Sequence, residues 1–118
     1  MRVIINNNTF KVKLCATPNT ISQGMMGQTF NEDFSGMLFM LPTTGEQSFW
    51  TYKCIIPLDI IMFNNGEITK IHYDCQPCVD QSNCESYKGF GSGVLEVLGG
   101  TCELLNIKEG DTLSLSLN

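Results

Sequence analysis

Short strand-like segments separated by turn-forming residues recur along almost the whole chain. Residues 10–16 alternate between apolar and polar side chains, which is the period of a strand with one buried face. Residues 37–41 and 58–63 are largely apolar on both faces, as in strands buried between two layers. Asn65-Gly66, directly after the second of these runs, is a strong hairpin signal. Seven or eight such segments predict an all-β fold, a single-domain and mainly antiparallel β-sandwich or partly closed barrel with one or two short helices.

Helical patterns are confined to two short segments. Asn19 or Thr20 is placed to cap a helix of two to three turns that ends near Gly27. Thr101 is placed to cap a shorter helical turn over residues 102–106. So few helical patterns argue against a parallel sheet built from β–α–β units.

Proline and glycine set the expected ends of the longer segments. Pro42 is expected to end the strand over residues 37–41, with a turn at 43–47 and a new strand over 48–52. Residues 74–92 are expected to form a long loop that is flexible at its glycine-rich end. Because the chain has 118 residues and no visible repeat, we expect one domain over residues 1–118.

The charge and hydropathy of the chain argue against two classes of partner. The formal net charge is −5, and the seven Lys and Arg residues are scattered singly, so no basic run can line up on nucleic-acid phosphates. No apolar run approaches the roughly 20 residues needed to cross a bilayer. The apolar stretch at the N-terminus is also too short for a signal peptide. We therefore expect a soluble, acidic, cytoplasmic protein, exported only if a leader has been removed.

Six motifs follow one another in a fixed order. They are Gly24-Met25-Met26, Gly36-Met37-Leu38-Phe39, Phe49-Trp50, Ile56-Pro57-Leu58-Asp59-Ile60-Ile61, Val94-Leu95-Glu96-Val97 and Gly110-Asp111. In this order they resemble the family called domain of unknown function 192, over residues 21 to 113 of the chain. The resemblance implies a compact, mainly antiparallel β fold, and it implies no established reaction or ligand.

The chain departs from the pattern of the family that it resembles. Thr51-Tyr52-Lys53-Cys54 stands where the family usually has Met-Lys-Asn-Thr, and Gln28 stands where it usually has an arginine. If that arginine and asparagine matter to the family's activity, this chain lacks the activity or uses a variant of it. The family's two loop cysteines correspond to Cys78 and Cys84, and Cys75 is an addition.

The sharpest local signal is the segment from His72 to Cys84. Cys75 and Cys78 form Cys-x-x-Cys, which lets two thiolates reach one metal ion, and His72 and Cys84 would complete a tetrahedral zinc site. The same pair of thiols is a redox motif in oxidoreductases, although there it lies at a helix N-terminus and not in a loop. Two plainer interpretations stay open, a Cys78–Cys84 disulfide that clasps the loop, or free thiols. No cofactor other than this zinc ion is expected.

Asp59 is the single carboxylate within the apolar run 58–63, where an unpaired charge is costly. One interpretation makes Asp59 the polar anchor of a ligand groove, with Lys53 as its partner and with Trp50 and Met25 among the apolar walls. The other makes Asp59 structural, an acceptor of backbone N–H groups near the start of its strand. For Trp50 and Met25 the alternative is packing in the core, which is the commoner place for both residue types.

Catalysis has little support in the sequence. The sole histidine, His72, has no serine elbow nearby, no carboxylates stand at a telling spacing, and no glycine-rich loop leads into a helix. The sequence favours a non-catalytic binding or interaction module with an apolar groove, and the alternative is a metal-binding or thiol-redox protein that uses the loop from His72 to Cys84. Its partner could be a small molecule, a peptide or a protein, and the oligomeric state is open.

Overall fold

The computed structural model describes residues 1–117, which form seven strands, two short α-helices and one 3-10 turn. In chain order they are β1 (Arg2–Ile5), β2 (Asn8–Cys15), α1 (Pro18–Gln23), β3 (Gly36–Phe49), β4 (Leu58–Asn64), β5 (Glu67–Cys75), the 3-10 turn (Gln81–Asn83), β6 (Tyr87–Leu98), α2 (Thr101–Leu104) and β7 (Leu113–Ser116). None of the helices within residues 1–117 is long and apolar enough to cross a membrane.

The strands form one mixed sheet in the order β5-β4-β6-β3-β2-β1-β7. β2 and β3 run parallel, and the other neighbouring pairs are antiparallel. The sheet curls until its two edges meet, because the Ile68 N–H donates to the Asp111 carbonyl at 2.9 Å and the Leu113 N–H donates to the Gly66 carbonyl at 2.8 Å. The predicted all-β, mainly antiparallel, partly closed barrel is confirmed.

Both faces of the sheet are buried. The first core contains residues from all seven strands and fills the inside of the curved sheet. Its residues are Val3, Ile5, Phe10, Leu38, Ile61, Phe63, Ile68, Ile71, Leu95, Val97, Cys102, Ile107 and Leu113. The second core lies on the opposite face under the connecting segments: Cys15, Met25, Met37, Phe39, Cys54, Leu58, Ile60, Met62, Cys75 and Val94. The continuous apolar runs 37–41 and 58–63 follow from this arrangement, since alternate residues serve the two cores.

The two asparagine-rich turns form hairpins as predicted. Asn6 and Asn7 have φ of 50° and 67° between β1 and β2, and Asn65 and Gly66 have φ of 50° and 76° between β4 and β5. Asparagine and glycine tolerate this left-handed backbone, which matches the twist of the flanking strands.

The predicted caps of both helices are wrong. α1 is capped by Thr17, whose hydroxyl accepts from the Thr20 N–H at 3.2 Å while the Thr20 hydroxyl accepts from the Thr17 N–H at 3.1 Å. This reciprocal pair places the N-cap two residues before Asn19, and the helix ends at Gln23 instead of reaching Gly27. The N-cap of α2 is Gly100, so Thr101 is the first helical residue.

Two strands are longer than predicted. β3 continues past Pro42 to Phe49. It pairs with β6 on both sides of an irregularity between Met40 and Gly45, so the expected turn is a β-bulge within one strand. β6 begins at Tyr87, so the glycine-rich end of the segment expected to be a loop is strand. Its glycines are needed for close approach, because a Cβ at Gly91 would stand 2.5 Å from the Phe63 carbonyl oxygen.

Candidate functional site

A cavity of about 240 Å³ opens above the second core, between α1 with its following turn and the residues around the end of β3. Its walls are mainly apolar and aromatic, with a few polar side chains. The lining residues are Ile21, Ser22, Gln23, Gly24, Met25, Met26, Phe39, Ser48, Phe49, Trp50, Tyr52, Cys54 and Glu96. Small-molecule sites commonly combine such an apolar lining with a few converging polar groups.

The turn after α1 forms one wall of the cavity. Gly24 has a φ of 48°, and a Cβ there would come within 3.3 Å of the Phe39 ring, so a glycine lets the turn reverse directly above β3. The Gln28 side-chain amide donates to the Gly24 carbonyl at 2.7 Å, and the Gly27 N–H donates to the Lys53 carbonyl at 2.9 Å. The first bond closes the turn on itself, and the second ties it to the segment that follows β3.

Aromatic rings form that opposite wall. The Phe49 ring meets the Phe39 ring edge to face at 4.9 Å, and the Trp50 and Tyr52 rings are tilted against each other at 5.0 Å. Trp50 is 39% exposed at the rim, so its indole is available to a ligand. The Lys53 ammonium lies 5.3 Å from the centre of the Tyr52 ring.

Glu96 lies at the floor of the cavity and is 3% exposed. It stands in the middle of β6, which is flanked by β3 and β4, opposite Met37 on one side and Ile60 on the other. The carboxyl of Glu96 makes no hydrogen bond or ion pair with any other of residues 1–117. Every fully buried side-chain polar atom in this part of the chain has a partner, so the oxygens of this carboxyl are not fully buried. The carboxyl therefore keeps a narrow opening, and the opening is this cavity. Burial raises the pKa of Glu96 to about 8.

Three buried thiols from different parts of the chain lie close enough to this carboxyl for its charge to affect them. Burial raises the pKa of Cys15 on β2, raises that of Cys54 to about 11, and raises that of Cys75 at the end of β5 to about 12, with Glu96 adding to each shift. Thiols with raised pKa values are protonated and unreactive near neutral pH. Glu96 is therefore the group of this set that changes its charge near neutral pH.

The structure brings together only part of the predicted groove. Met25 and Trp50 both line the cavity, and Lys53 lies beside it with an exposed side chain. Asp59 faces the first core, on the other side of the sheet from Glu96 and the cavity. Its Oδ1 accepts from the Asp74 N–H at 2.8 Å and the Gly100 N–H at 3.2 Å, and its Oδ2 accepts from the Cys102 N–H at 2.8 Å.

The four residues predicted as a metal or disulfide set do not converge on one point. Cys78 and Cys84 form a disulfide across six positions, with their Cα atoms 5.7 Å apart. Cys75 is buried in the second core as a free thiol, and the His72 Nε2 atom lies 2.7 Å from the Lys88 carbonyl oxygen. Within residues 1–117 no three or more His, Cys, Asp or Glu side chains are grouped as metal ligands would be.

The disulfide loop abuts the aromatic wall of the cavity. The Cys78 N–H donates to the Thr51 carbonyl and the Lys53 N–H donates to the Cys78 carbonyl, at 3.1 and 3.0 Å. A small depression beside the main cavity is lined by residues from both sides: Ser48, Phe49, Trp50, Cys84, Glu85 and Ser86. Trp50 therefore stands between the cavity and the clasped loop.

A second cavity, of about 300 Å³, opens on the other side of the sheet. It is lined by Tyr73, Cys102, Glu103, Asn106, Ile107 and Lys108. Its two charged residues, Glu103 and Lys108, are exposed to solvent. We regard the cavity above Glu96 as the candidate site because it contains a buried carboxyl without a partner.

Glu96 was missed as a site residue by reasoning from the sequence. Its signal was present, since Glu96 is the one charged side chain in the apolar stretch from Val94 to Leu98. The same signal drew attention to Asp59 instead. The strand pattern alone does not show which of the two carboxylates meets backbone donors and which meets an opening.

The comparisons with known proteins name a family and two similar structures. The model of a family described as "Uncharacterized ACR", DUF192, matches residues 1–115. A protein of unknown function from Novosphingobium aromaticivorans is similar in structure, with a TM-score of 0.84 and 27% identity, over 97% of this chain and 84% of that one. A protein from Sinorhizobium meliloti, named a putative transcription regulator, is similar with a TM-score of 0.83 and 26% identity, over 96% of this chain and 89% of that one. A search of curated proteins finds no significant match.

Proposed function

The chain belongs to the DUF192 family, described as uncharacterized, and from that premise we propose that it is a non-catalytic binding module that holds a small organic molecule in the cavity above Glu96. The observation that carries this proposal is the carboxyl of Glu96. Glu96 is 3% exposed, its carboxyl has no partner among residues 1–117, and it lines that cavity. A buried polar group without a partner costs free energy, and a ligand that supplied the missing contact would offset this cost.

The lining of the cavity supports a ligand with an apolar body. Met25, Met26 and Ile21 cover one side, and Phe49 and Trp50 cover the other. Methionine adapts its shape to irregular partners, and aromatic rings offer a large contact area at a small cost in side-chain entropy. A volume of about 240 Å³ suits a small molecule better than a folded partner.

The alternative, a metal-binding or thiol-redox centre at residues 72–84, has less support. Cys78 is bonded to Cys84 and not to Cys75, so the Cys-x-x-Cys pair is not a dithiol. Burial raises the pKa of Cys75 to about 12, and a thiol that stays protonated is a poor nucleophile.

A fragment screen by protein NMR tests the proposal. Binding in the cavity shifts the Trp50 indole N–H and the backbone amides around Met25 and Tyr52. Met26→Trp places a larger side chain in the cavity and should abolish these shifts. Leu104→Trp, at an 83% exposed position on α2, is the matched control and should retain them.

The proposal fails if fragments shift Tyr73 and Ile107 while Trp50 is unchanged. It also fails if Met26→Trp binds the same fragments as the unsubstituted protein.

A further inference from the structure

We propose that the ligand of this cavity is a small organic ammonium ion, whose cationic centre pairs with the Glu96 carboxylate beneath the aromatic wall. This inference rests on the proposed function, since it names the chemical class of the molecule that the cavity holds. It goes beyond that function because a binding cavity of the same shape could hold a neutral or an anionic molecule.

The charge of the cavity favours a cation. Among its lining residues Glu96 is the one carboxylate, and no Lys, Arg or His is among them. An anion placed there would meet a carboxyl with no compensating positive charge, whereas an ammonium ion would supply the missing counter-ion. The net charge of −5 on the whole chain also attracts cations.

The aromatic wall provides a second kind of contact for a cation. Trp50, Tyr52 and Phe49 lie together on one side of the cavity, and a ring face attracts an ammonium ion within about 6 Å of its centre. The chain already shows this interaction at the rim, where the Lys53 ammonium lies 5.3 Å from the centre of the Tyr52 ring. An ammonium ion in the cavity would make the same kind of contact with the neighbouring ring of Trp50.

The burial of Glu96 couples cation binding to the release of a proton. In the empty cavity the pKa of Glu96 is about 8, so the carboxyl is mostly protonated at pH 7. An ammonium ion stabilises the ionised form and lowers that pKa, so the proton leaves to solvent as the cation binds. A neutral ligand that hydrogen-bonds the protonated carboxyl would release no proton.

The groups around Glu96 contribute little to a proton count made between pH 6.5 and 8.5. Burial raises the pKa of the thiols of Cys15 on β2, Cys54 in the segment after β3 and Cys75 at the end of β5 above the ordinary value for cysteine, so they remain mainly protonated in this range. Burial, and after it the neighbouring Cys75 thiol, raise the pKa of Tyr87 on β6 to about 12. Lys13 on β2 lowers the pKa of Cys15, but by less than burial raises it.

Calorimetry with two probes of the same shape tests the inference. Choline carries a quaternary ammonium that keeps its charge at every pH, and 3,3-dimethyl-1-butanol is its neutral carbon analogue. Titrations in buffers of different ionisation enthalpy count the protons released. We expect about one proton per choline bound near pH 7, an affinity about 20-fold higher at pH 8.5 than at pH 6.5, and at least about tenfold weaker, pH-independent binding of the alcohol.

Glu96→Gln should remove both the proton release and the preference for choline. The matched control is Glu67→Gln, which removes one exposed carboxylate from the start of β5 and should change neither. If Glu96→Gln folds poorly, the number of protons that the unsubstituted protein releases on binding choline still tests the inference.

Two outcomes overturn the inference. If the two probes bind equally well and no proton is released, the ligand is not an ammonium ion, but the cavity remains a binding site. If neither probe changes the fluorescence of Trp50, the sole tryptophan, at tens of millimolar, the ammonium class is also rejected, and the fragment screen decides separately whether the cavity binds anything.

Discussion

The Oδ2 atom of Asp59 accepts a hydrogen bond from the backbone N–H of Cys102 at 2.8 Å, across 43 positions of the chain. The other carboxylate oxygen accepts from the Asp74 and Gly100 amides, so one side chain on β4 holds the end of β5 and the start of α2. A carboxylate that accepts several backbone N–H bonds is well compensated for its burial. Asp59 therefore stabilises the fold, while Glu96 on the other side of the sheet faces an opening.

Asp59→Asn should lower the free energy of unfolding by about 2–4 kcal/mol, because an amide can accept at only one of the two oxygen positions and places a donor against a backbone N–H. Denaturant titration measures the loss. Asp33→Asn, at an exposed position, is the control and should stay within about 0.5 kcal/mol. Unchanged stability together with lost ligand binding would make Asp59 a ligand group instead.

Leu58→Ala should cost about 2–5 kcal/mol of unfolding free energy, because Leu58 is fully buried in the second core and its truncation leaves a cavity. Ile55→Ala removes a similar side chain that is 58% exposed, and it should change stability by less than about 0.5 kcal/mol. Equal losses for the two variants would mean that the second core is not packed as described.

Glu96→Gln should change how stability depends on pH. Burial raises the folded-state pKa of Glu96 from 4.5 to about 8, so the folded chain binds this proton more tightly than the unfolded chain does. The resulting stability is fully present below about pH 4.5 and is lost as the pH rises through about 8. The unsubstituted protein should therefore lose on the order of 4 kcal/mol relative to Glu96→Gln over that window.

Denaturant titrations of both proteins at several pH values measure this difference, with Glu67→Gln as the matched loss of an exposed carboxylate. A constant difference between the unsubstituted protein and Glu96→Gln would show that Glu96 is ionised in the folded state throughout, and would contradict its burial without a partner.

Reduction of the Cys78–Cys84 disulfide should loosen the wall behind Trp50. Thiol counting under denaturing, non-reducing conditions should find the four free cysteines, Cys15, Cys54, Cys75 and Cys102, and all six after reduction. The bond closes a short loop, so its loss should cost at most about 2–3 kcal/mol. Reductant should also change the emission of Trp50, because Cys84 and Ser86 line the depression beside it.

The double variant Cys78→Ser and Cys84→Ser should not respond to reductant, and chelator should affect neither protein. Six free thiols before reduction, or a melting temperature that falls with chelator, would contradict the disulfide.

The fold was predictable because its determinants are local. Alternating and continuous apolar runs mark the strands, and Asn-rich turns mark the hairpins at Asn6 and Asn65. The misplaced boundaries have tertiary causes. β6 extends back to Tyr87 because its glycines allow it to pack against Phe63, and a glycine-rich segment looks like a loop until that neighbour is known.

The candidate site was only partly predictable. Met25 and Trp50 could be proposed from their residue types, and both line the cavity. Asp59 and Glu96 look alike in sequence, as single carboxylates within buried strands. Asp59 faces three backbone N–H groups, whereas Glu96 faces a cavity. This difference depends on how α2 and the turn after α1 cover the two faces of the sheet.

A ¹³C NMR titration of the Glu96 side-chain carboxyl, with Glu96→Gln to assign the signal, tests the site most directly. We predict a midpoint near pH 8 in the free protein, because the carboxyl is buried without a partner, and a lower midpoint in the presence of saturating choline. A midpoint near 4.5 in the free protein would show that the carboxyl is solvated or already paired, and would contradict a site built over Glu96.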